Sequence, residues 1–144
     1  MEHELTYRRA TEPDLALLAD LNAQLLEDER ARTALSRLEL EQRLRDLLAG
    51  EYQAIFFSHG GRVVAYALFC DYSDRIYLRH FFVVRDARRQ GIGRQAIAIL
   101  RQHIWPRERR LTVEALYDNA PAIAFWQAVG FLPYTVAFEI LPEV

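Results

Sequence analysis

The stretch Phe81-Phe82-Val83-Val84-Arg85-Asp86-Ala87-Arg88-Arg89-Gln90-Gly91-Ile92-Gly93-Arg94 gathers the residue types with most chemical potential. An apolar run ends, a basic loop follows, and two glycines open a helical pattern. A helix start leaves backbone N–H groups unpartnered and carries partial positive charge, which suits phosphate. Glycines let a ligand approach the backbone, and Arg85, Arg88, Arg89 and Arg94 add guanidinium charge. The competing reading is a tight turn beside a solvated basic face. Two groups could serve as bases. Glu114 sits among Val113, Ala115 and Leu116, where a carboxylate is costly unless used or paired; the alternative is a surface-facing or salt-bridged side chain. His80, in Leu78-Arg79-His80-Phe81, has an ordinary pKa of about 6.5, near neutrality; the alternative is a core histidine bonded to backbone. Strand alternation points Arg79 and His80 to opposite faces, so at most one lines a site.

These groups need a scaffold, and the pattern of the chain supplies one. Leu5–Arg9 reads as a first strand. Thr11-Glu12-Pro13-Asp14 is a helix start, followed at helical spacing by Leu15, Leu18, Asn22, Leu25 and Leu26. Ser36-x-x-Glu39 is a capping box before Leu40, Leu44, Leu47 and Leu48, and Gly50 ends that helix. Tyr52–Phe57 and Arg62–Cys70 then form a hairpin through His59-Gly60-Gly61, with Arg75–Val84 as a third strand. Strands this apolar belong in a sheet covered on both faces. Gly91 begins a third helix that Pro106 stops, Leu111–Tyr117 is another strand, Asn119 and Pro121 start a fourth helix ending at Gly130-Phe131, and Tyr134–Leu141 is a last strand. The order β-αα-βββ-α-β-α-β predicts an α/β (α+β) fold, a mixed sheet with helices on both faces.

Composition removes several chemistries. The 144 residues, 51% hydrophobic and 26% charged, suit one domain over 1–144. All 18 basic residues counted as Lys+Arg are arginine, so a Walker lysine, a kinase lysine and a Schiff-base lysine are excluded. Cys70 is the single cysteine; it cannot form an internal disulfide and reads as a small buried hydrophobe. His3, His59, His80 and His103 lack zinc-protease spacing, so no metal is expected. The opening Met-Glu-His-Glu resembles no signal segment, no apolar run spans a bilayer, and the net charge is −2. A soluble, cytoplasmic protein with neither nucleic-acid nor membrane partner is expected, as a monomer or homodimer.

Two readings compete for the phosphate ligand. Gly91-Ile92-Gly93-Arg94-Gln95-Ala96 fits a relaxed dinucleotide fingerprint, with Glu114 about 20 residues on. Against it, Arg85–Gln90 intervenes between strand and glycine, and too little chain follows for a doubly wound sheet. The other reading rests on two motifs. Arg88-x-x-Gly91-x-Gly93 after Phe81-x-Val83, and Asn119-x-x-Ala122-x-x-Phe125-Trp126-x-x-x-Gly130-Phe131, resemble the signatures of the GNAT superfamily of N-acetyltransferases. The element order is similar to that fold over nearly the whole chain. Arg85 and Arg89 depart from the usual proline and glycine.

The resemblance implies a mostly antiparallel sheet, splayed between the strands at 75–84 and 111–117. It implies acetyl transfer from acetyl-CoA to a primary amine of a small acceptor by direct attack. Phe82, Val83 and Val84 would pair with the pantetheine arm, an amide near Val83 would polarise the thioester carbonyl, and the amides of Arg89, Gln90, Gly91, Ile92, Gly93 and Arg94 would receive the pyrophosphate. Arg88, Arg89 and Arg94 are candidates for the 3′-phosphate. Asn119, Phe125 and Trp126 would flank the cofactor. Trp126 replaces the tyrosine that many relatives use to protonate the departing thiolate, and an indole N–H does not ionise at these pKa values; Tyr117 and Tyr134 are the replacement candidates. Glu27, Asp28 and Glu29, at the end of the first helix, are either a solvated end neutralised by Arg30 and Arg32 or a rim that attracts a cationic acceptor. A GNAT-like module that binds acyl-CoA without turnover is the alternative function, and a dinucleotide-binding domain a distant one.

Overall fold

Asp14 ties the first strand to the first helix. Its carboxylate accepts the Thr11 N–H at 2.8 Å, and two bonds from Arg8, at 2.8 and 2.9 Å, clamp it. The arginine bonds, opposed by partial burial, hold the Asp14 carboxyl at about 2. The computed structural model describes residues 4–32 and 34–143, so the readings of Met1–His3, His3 included, lie outside it. Strand β1 (Thr6–Arg9) leads through a single 3-10 turn into α1 (Leu15–Asp28) and α2 (Arg37–Ala49). The second capping box forms as its sequence requires: Ser36 Oγ accepts from the Glu39 N–H, and Glu39 Oε1 from the Ser36 N–H.

Strands β2 (Tyr52–His59) and β3 (Arg62–Tyr72) meet in a two-residue turn. Gly60 and Gly61 both have positive φ, 60° and 79°, as a type I′ turn demands. Strand β4 (Arg75–Val83) follows, then α3 (Ile92–Ile99) and β5 (Arg110–Val113). The sheet order is β1-β2-β3-β4-β5, antiparallel except for the parallel β4–β5 pair. Val64–Cys70 is buried without interruption, so β3 is covered on both faces. Tyr66 and Phe56 share the face beneath α1 and α2. Phe69 lies on the other, edge-on to Trp105 with ring centroids 5.6 Å apart. Cys70 is buried, as expected.

The chain divides into two compact units, the first ending at Glu114 and the second beginning at Ala115. The second unit holds helix α4 (Ala120–Ala128). Its N-cap is Asn119, whose Oδ1 accepts from the Ala122 N–H at 3.3 Å. It ends in a Schellman motif: Phe131 N donates to Trp126 O at 2.9 Å and Gly130 N to Gln127 O at 3.1 Å, with Gly130 at φ 110°.

Four sequence expectations change. The strand expected at Leu111–Tyr117 pairs only through Val113, because β4 and β5 part there. The second unit, taken by itself, shows no strand at Tyr134–Leu141, because it holds no second strand with which to form a ladder. The third helix does not stay α-helical to Pro106, since Leu100–Ile104 winds as a π segment. Finally, Arg79 and His80 do not point to opposite faces. Leu68 pairs with His80 and Phe69 with Leu78, so Arg79 is an inserted bulge residue. The Arg79 guanidinium sits 5.6 Å from the Tyr52 ring centre, and His80 Nδ1 is 3.2 Å from the Tyr66 hydroxyl. Both side chains therefore share the face beneath α1 and α2.

Candidate active site

Strand β4 has two halves. Arg75–Leu78 pairs with Arg110–Val113 of β5, and the β5 ladder ends there while β4 runs on to Val83. The Val84 N–H donates to Val64 O on the β3 side, so alternation turns the backbone groups of Phe81 and Val83 to the opposite edge. The parting expected between these strands is thus present, and beyond it the Val83 N–H faces the edge that β5 has left.

The strand then feeds the glycine turn. Gly91 is the N-cap of α3, left-handed at φ 76°, and the first helical bond runs from Gln95 N to Gly91 O. The amides of Ile92, Gly93 and Arg94 thus precede the helical bonding pattern and point from its N-terminus. Arg89 is left-handed too, at φ 65°, which explains physically why glycine is the usual residue there.

The arginines of the turn divide sharply. Arg88 donates through Nε to Val83 O at 2.8 Å and through Nη2 to Asp28 Oδ2, and its guanidinium lies 5.4 Å from the Phe82 ring centre. Arg85 donates to Asp28 Oδ1 from Nε at 3.1 Å and from Nη2 at 2.8 Å, and to Glu27 Oε2 at 3.3 Å. Burial opposes the Asp28 charge, but the bonds from both arginines outweigh it and lower the carboxyl below its usual range. Glu27 and Asp28 are therefore neutralised by Arg85 and Arg88. Arg89 and Arg94 are exposed, and no ion pair among the described residues holds either. The sequence shows four similar arginines; only folding separates the tied pair from the others.

Glu114 lies just past the end of β5, where the strands part. Its Oε1 accepts the Tyr77 hydroxyl at 2.8 Å. Burial first, then the hydrogen bond and charge of Glu114, push the Tyr77 phenol up to about 12. Tyr77 is a partner the sequence reading did not single out, because a tyrosine in an apolar strand reads as core. His80 is half-buried, and burial, with the nearby charges of Arg79 and Arg43, pushes its imidazole down to about 3. It is neutral at physiological pH, with Nδ1 engaged by Tyr66.

In the C-terminal unit, Asn119 Oδ1 is occupied as a helix cap. Trp126 stands edge-on to Phe125 and Phe131, with centroids 4.9 and 5.3 Å apart. The Trp126–Phe131 contact is the apolar pairing that accompanies a Schellman motif, so this part of the sequence motif has a local structural task. Tyr117 and Tyr134 belong to the same unit.

Comparison with known proteins bears on these features. Similar folds include an aminoglycoside N-acetyltransferase in complex with CoA, at 16% identity and TM-score 0.78, covering 100% of this chain and 98% of that one. A predicted acetyltransferase with acetyl-CoA from Clostridium acetobutylicum is 18% identical, with TM-score 0.73 and 96% of each chain covered. An aminoglycoside antibiotic N-acetyltransferase from Acinetobacter baumannii is 17% identical, with TM-score 0.75 and coverage of 98% and 99%. Among curated proteins none matches the sequence significantly. The sequence model of the acetyltransferase (GNAT) family matches residues 17–131, from inside α1 through the glycine turn to Phe131. Fold and sequence agree over that span, and the chain belongs to the GNAT acetyltransferase family.

Proposed function

We propose that this protein transfers an acetyl group from acetyl-CoA to the primary amine of a small acceptor, with residues 1–144 acting as one catalytic domain in the cytoplasm. The observation that carries this reading is the open edge of β4, with the Val83 amide turned to it, running into the left-handed Gly91 and the bare amides of α3. A pantetheine-like amide chain can add to that edge as a strand would. The amides from Arg89 to Arg94 suit a pyrophosphate, and Arg89 and Arg94 supply the cations for a further phosphate. Arg88 serves the reaction differently from the sequence expectation, by bracing Val83 O against α1. Val84, buried beside this edge, and Phe82 hold the strand in place. The family resemblance further implies a cofactor role for Asn119, Phe125 and Trp126.

In the reaction the amine nitrogen attacks the thioester carbonyl carbon, the Val83 N–H stabilises the developing oxyanion, and the C–S bond breaks with its electron pair on sulfur. The acceptor must first lose a proton from its ammonium form. Glu114 is the leading base: it stands where the strands part and is oriented by Tyr77. Tyr117 and Tyr134 are the candidates to return a proton to the thiolate.

A thiol-release assay with acetyl-CoA over a panel of primary amines tests the reading. Thiol release that depends on amine, reduced at least tenfold by Glu114→Gln, is the expected result. Calorimetric binding of acetyl-CoA with no release from any amine would instead assign a binding module, which the tryptophan at position 126 would suit. Binding of NAD without CoA would exclude both.

A further inference from the structure

Helix α1 turns one stripe toward the sheet, and that stripe carries Asn22 and, seven residues on, Glu29. Asn22 is 2% exposed, and its Nδ2 meets no acceptor at hydrogen-bonding geometry. The Tyr66 hydroxyl is near enough to feel both this amide and the Glu29 charge. That hydroxyl in turn lies 3.2 Å from His80 Nδ1. Glu29 is half-buried, and no ion pair among the described residues reaches it, although Glu27 and Asp28 beside it are both paired. A carboxylate withdrawn from water without a counter-charge is costly unless a cation arrives from elsewhere.

The cluster also has a direction. The Tyr66 hydroxyl, 3.2 Å from His80 Nδ1, is placed to send its own proton there. The remaining proton of the neutral imidazole is then on Nε2, which makes His80 a hydrogen-bond donor on its free side. Arg79 and Arg43 lie near His80, so that end repels a cation and favours an oxygen. The Glu29 end lies toward the thioester position: Asp28, its neighbour, is joined through Arg88 to Val83 O. His80 is three residues before Val83, about 10 Å along the strand.

Resting on the acetyl-transfer reading, we propose that Glu29 and His80 form the acceptor subsite. Glu29 holds the ammonium that will react, and His80 Nε2–H donates to an oxygen on the same molecule. Asn22 and Tyr66 fix the imidazole as positioning residues. The acceptor class is therefore a cationic amine bearing a hydroxyl or carbonyl oxygen within a few bonds of the nitrogen.

Glucosamine and cyclohexylamine are a matched pair, a ring amine with and without neighbouring hydroxyls. Wild-type protein should prefer glucosamine at least tenfold in kcat/KM. Glu29→Gln should raise KM at least tenfold for both amines while the acetyl-CoA KM stays unchanged, and Glu29→Asp should recover part of the loss. His80→Phe should abolish the preference, bringing the two amines to the same kcat/KM. If His80→Phe does not melt cooperatively, His80→Asn replaces it. Equal amine KM values for wild type and Glu29→Gln, or no wild-type preference, would overturn the subsite. If acetyl-CoA binds and no amine is acetylated, the activity reading fails instead. The subsite is then read by calorimetry of glucosamine on the CoA-loaded protein: binding lost in Glu29→Gln upholds it, and absence of wild-type binding overturns it.

Discussion

Asp28 and Glu29 are adjacent in sequence and sit at the same helix end, yet their surroundings differ. Asp28 lies between Arg85 and Arg88, and their bonds outweigh its partial burial. Glu29 is half-buried without a cation, and burial first, then the charge of Asp28, raises its carboxyl above the ordinary range. The first arrangement braces the glycine turn against α1. The second leaves a negative charge available under α1, beside a buried amide with nothing to bond. Proteins remove such costs unless a ligand resolves them, and this contrast separates the structural half of the helix end from the acceptor half.

The largest expected effect comes from the hinge of the buried cluster. Tyr66→Phe removes a fully buried hydroxyl and leaves His80 Nδ1 without its partner. It should cost about 2 kcal/mol of unfolding free energy in a denaturant titration. A structural loss alone would leave selectivity intact. The positioning role requires the glucosamine-to-cyclohexylamine ratio to fall as well, because the His80 tautomer is no longer fixed. An unchanged ratio would reduce Tyr66 to a core residue.

The next comparison sets the two carboxylates against each other by pH. A carboxylate lowered by folding contributes stability above the ordinary carboxylate range and loses it as pH falls through its folded value. One raised by folding does the reverse, removing stability as pH rises through that range. Asp28→Asn should therefore melt below wild type at pH 7, by roughly 1 kcal/mol for a partly buried, doubly bonded group, and converge with it in acid. Glu29→Gln should melt slightly above wild type at pH 7 and also converge in acid. Thermal melts from pH 3 to 7 give both difference curves. Curves of the same sign would erase the distinction between the two sites.

The parts of this arrangement differ in how openly the sequence displayed them. Capping boxes at Thr11 and Ser36, the Gly60-Gly61 turn and the glycine turn before α3 are local devices, and each formed where its residues indicated. The parting of β4 from β5 followed from a resemblance carried by two motifs. The Arg79 bulge was not legible, because it depends on which residue of β3 stands opposite, and it reversed the expected relation of Arg79 to His80. Likewise, Asp28 and Arg88 are 60 residues apart, and no spacing rule joins them. Asn22 had been visible as a polar residue on an apolar stripe, which was the one available sign of the buried cluster.

The smallest expected effect lies just past Glu29, at the residue that closes α1. The end of α1 repeats the motif that ends α4: Ala31 N donates to Leu26 O at 3.0 Å and Arg30 N to Glu27 O at 3.2 Å. In α4 the left-handed position is Gly130; in α1 it is Arg30, at φ 51°. A side chain in that region costs roughly 1–2 kcal/mol, partly offset because glycine loses more backbone freedom on folding. Arg30→Gly should therefore raise unfolding free energy by about 0.5–1 kcal/mol, or a few degrees in Tm for a domain of this size. Arg30→Ala, which keeps the Cβ, should give no such gain. If the two variants melt alike, backbone conformation is not what Arg30 contributes. A gain confined to glycine would show that α1 keeps an arginine at this turn against its backbone preference, next to the one carboxylate of the trio left without an arginine.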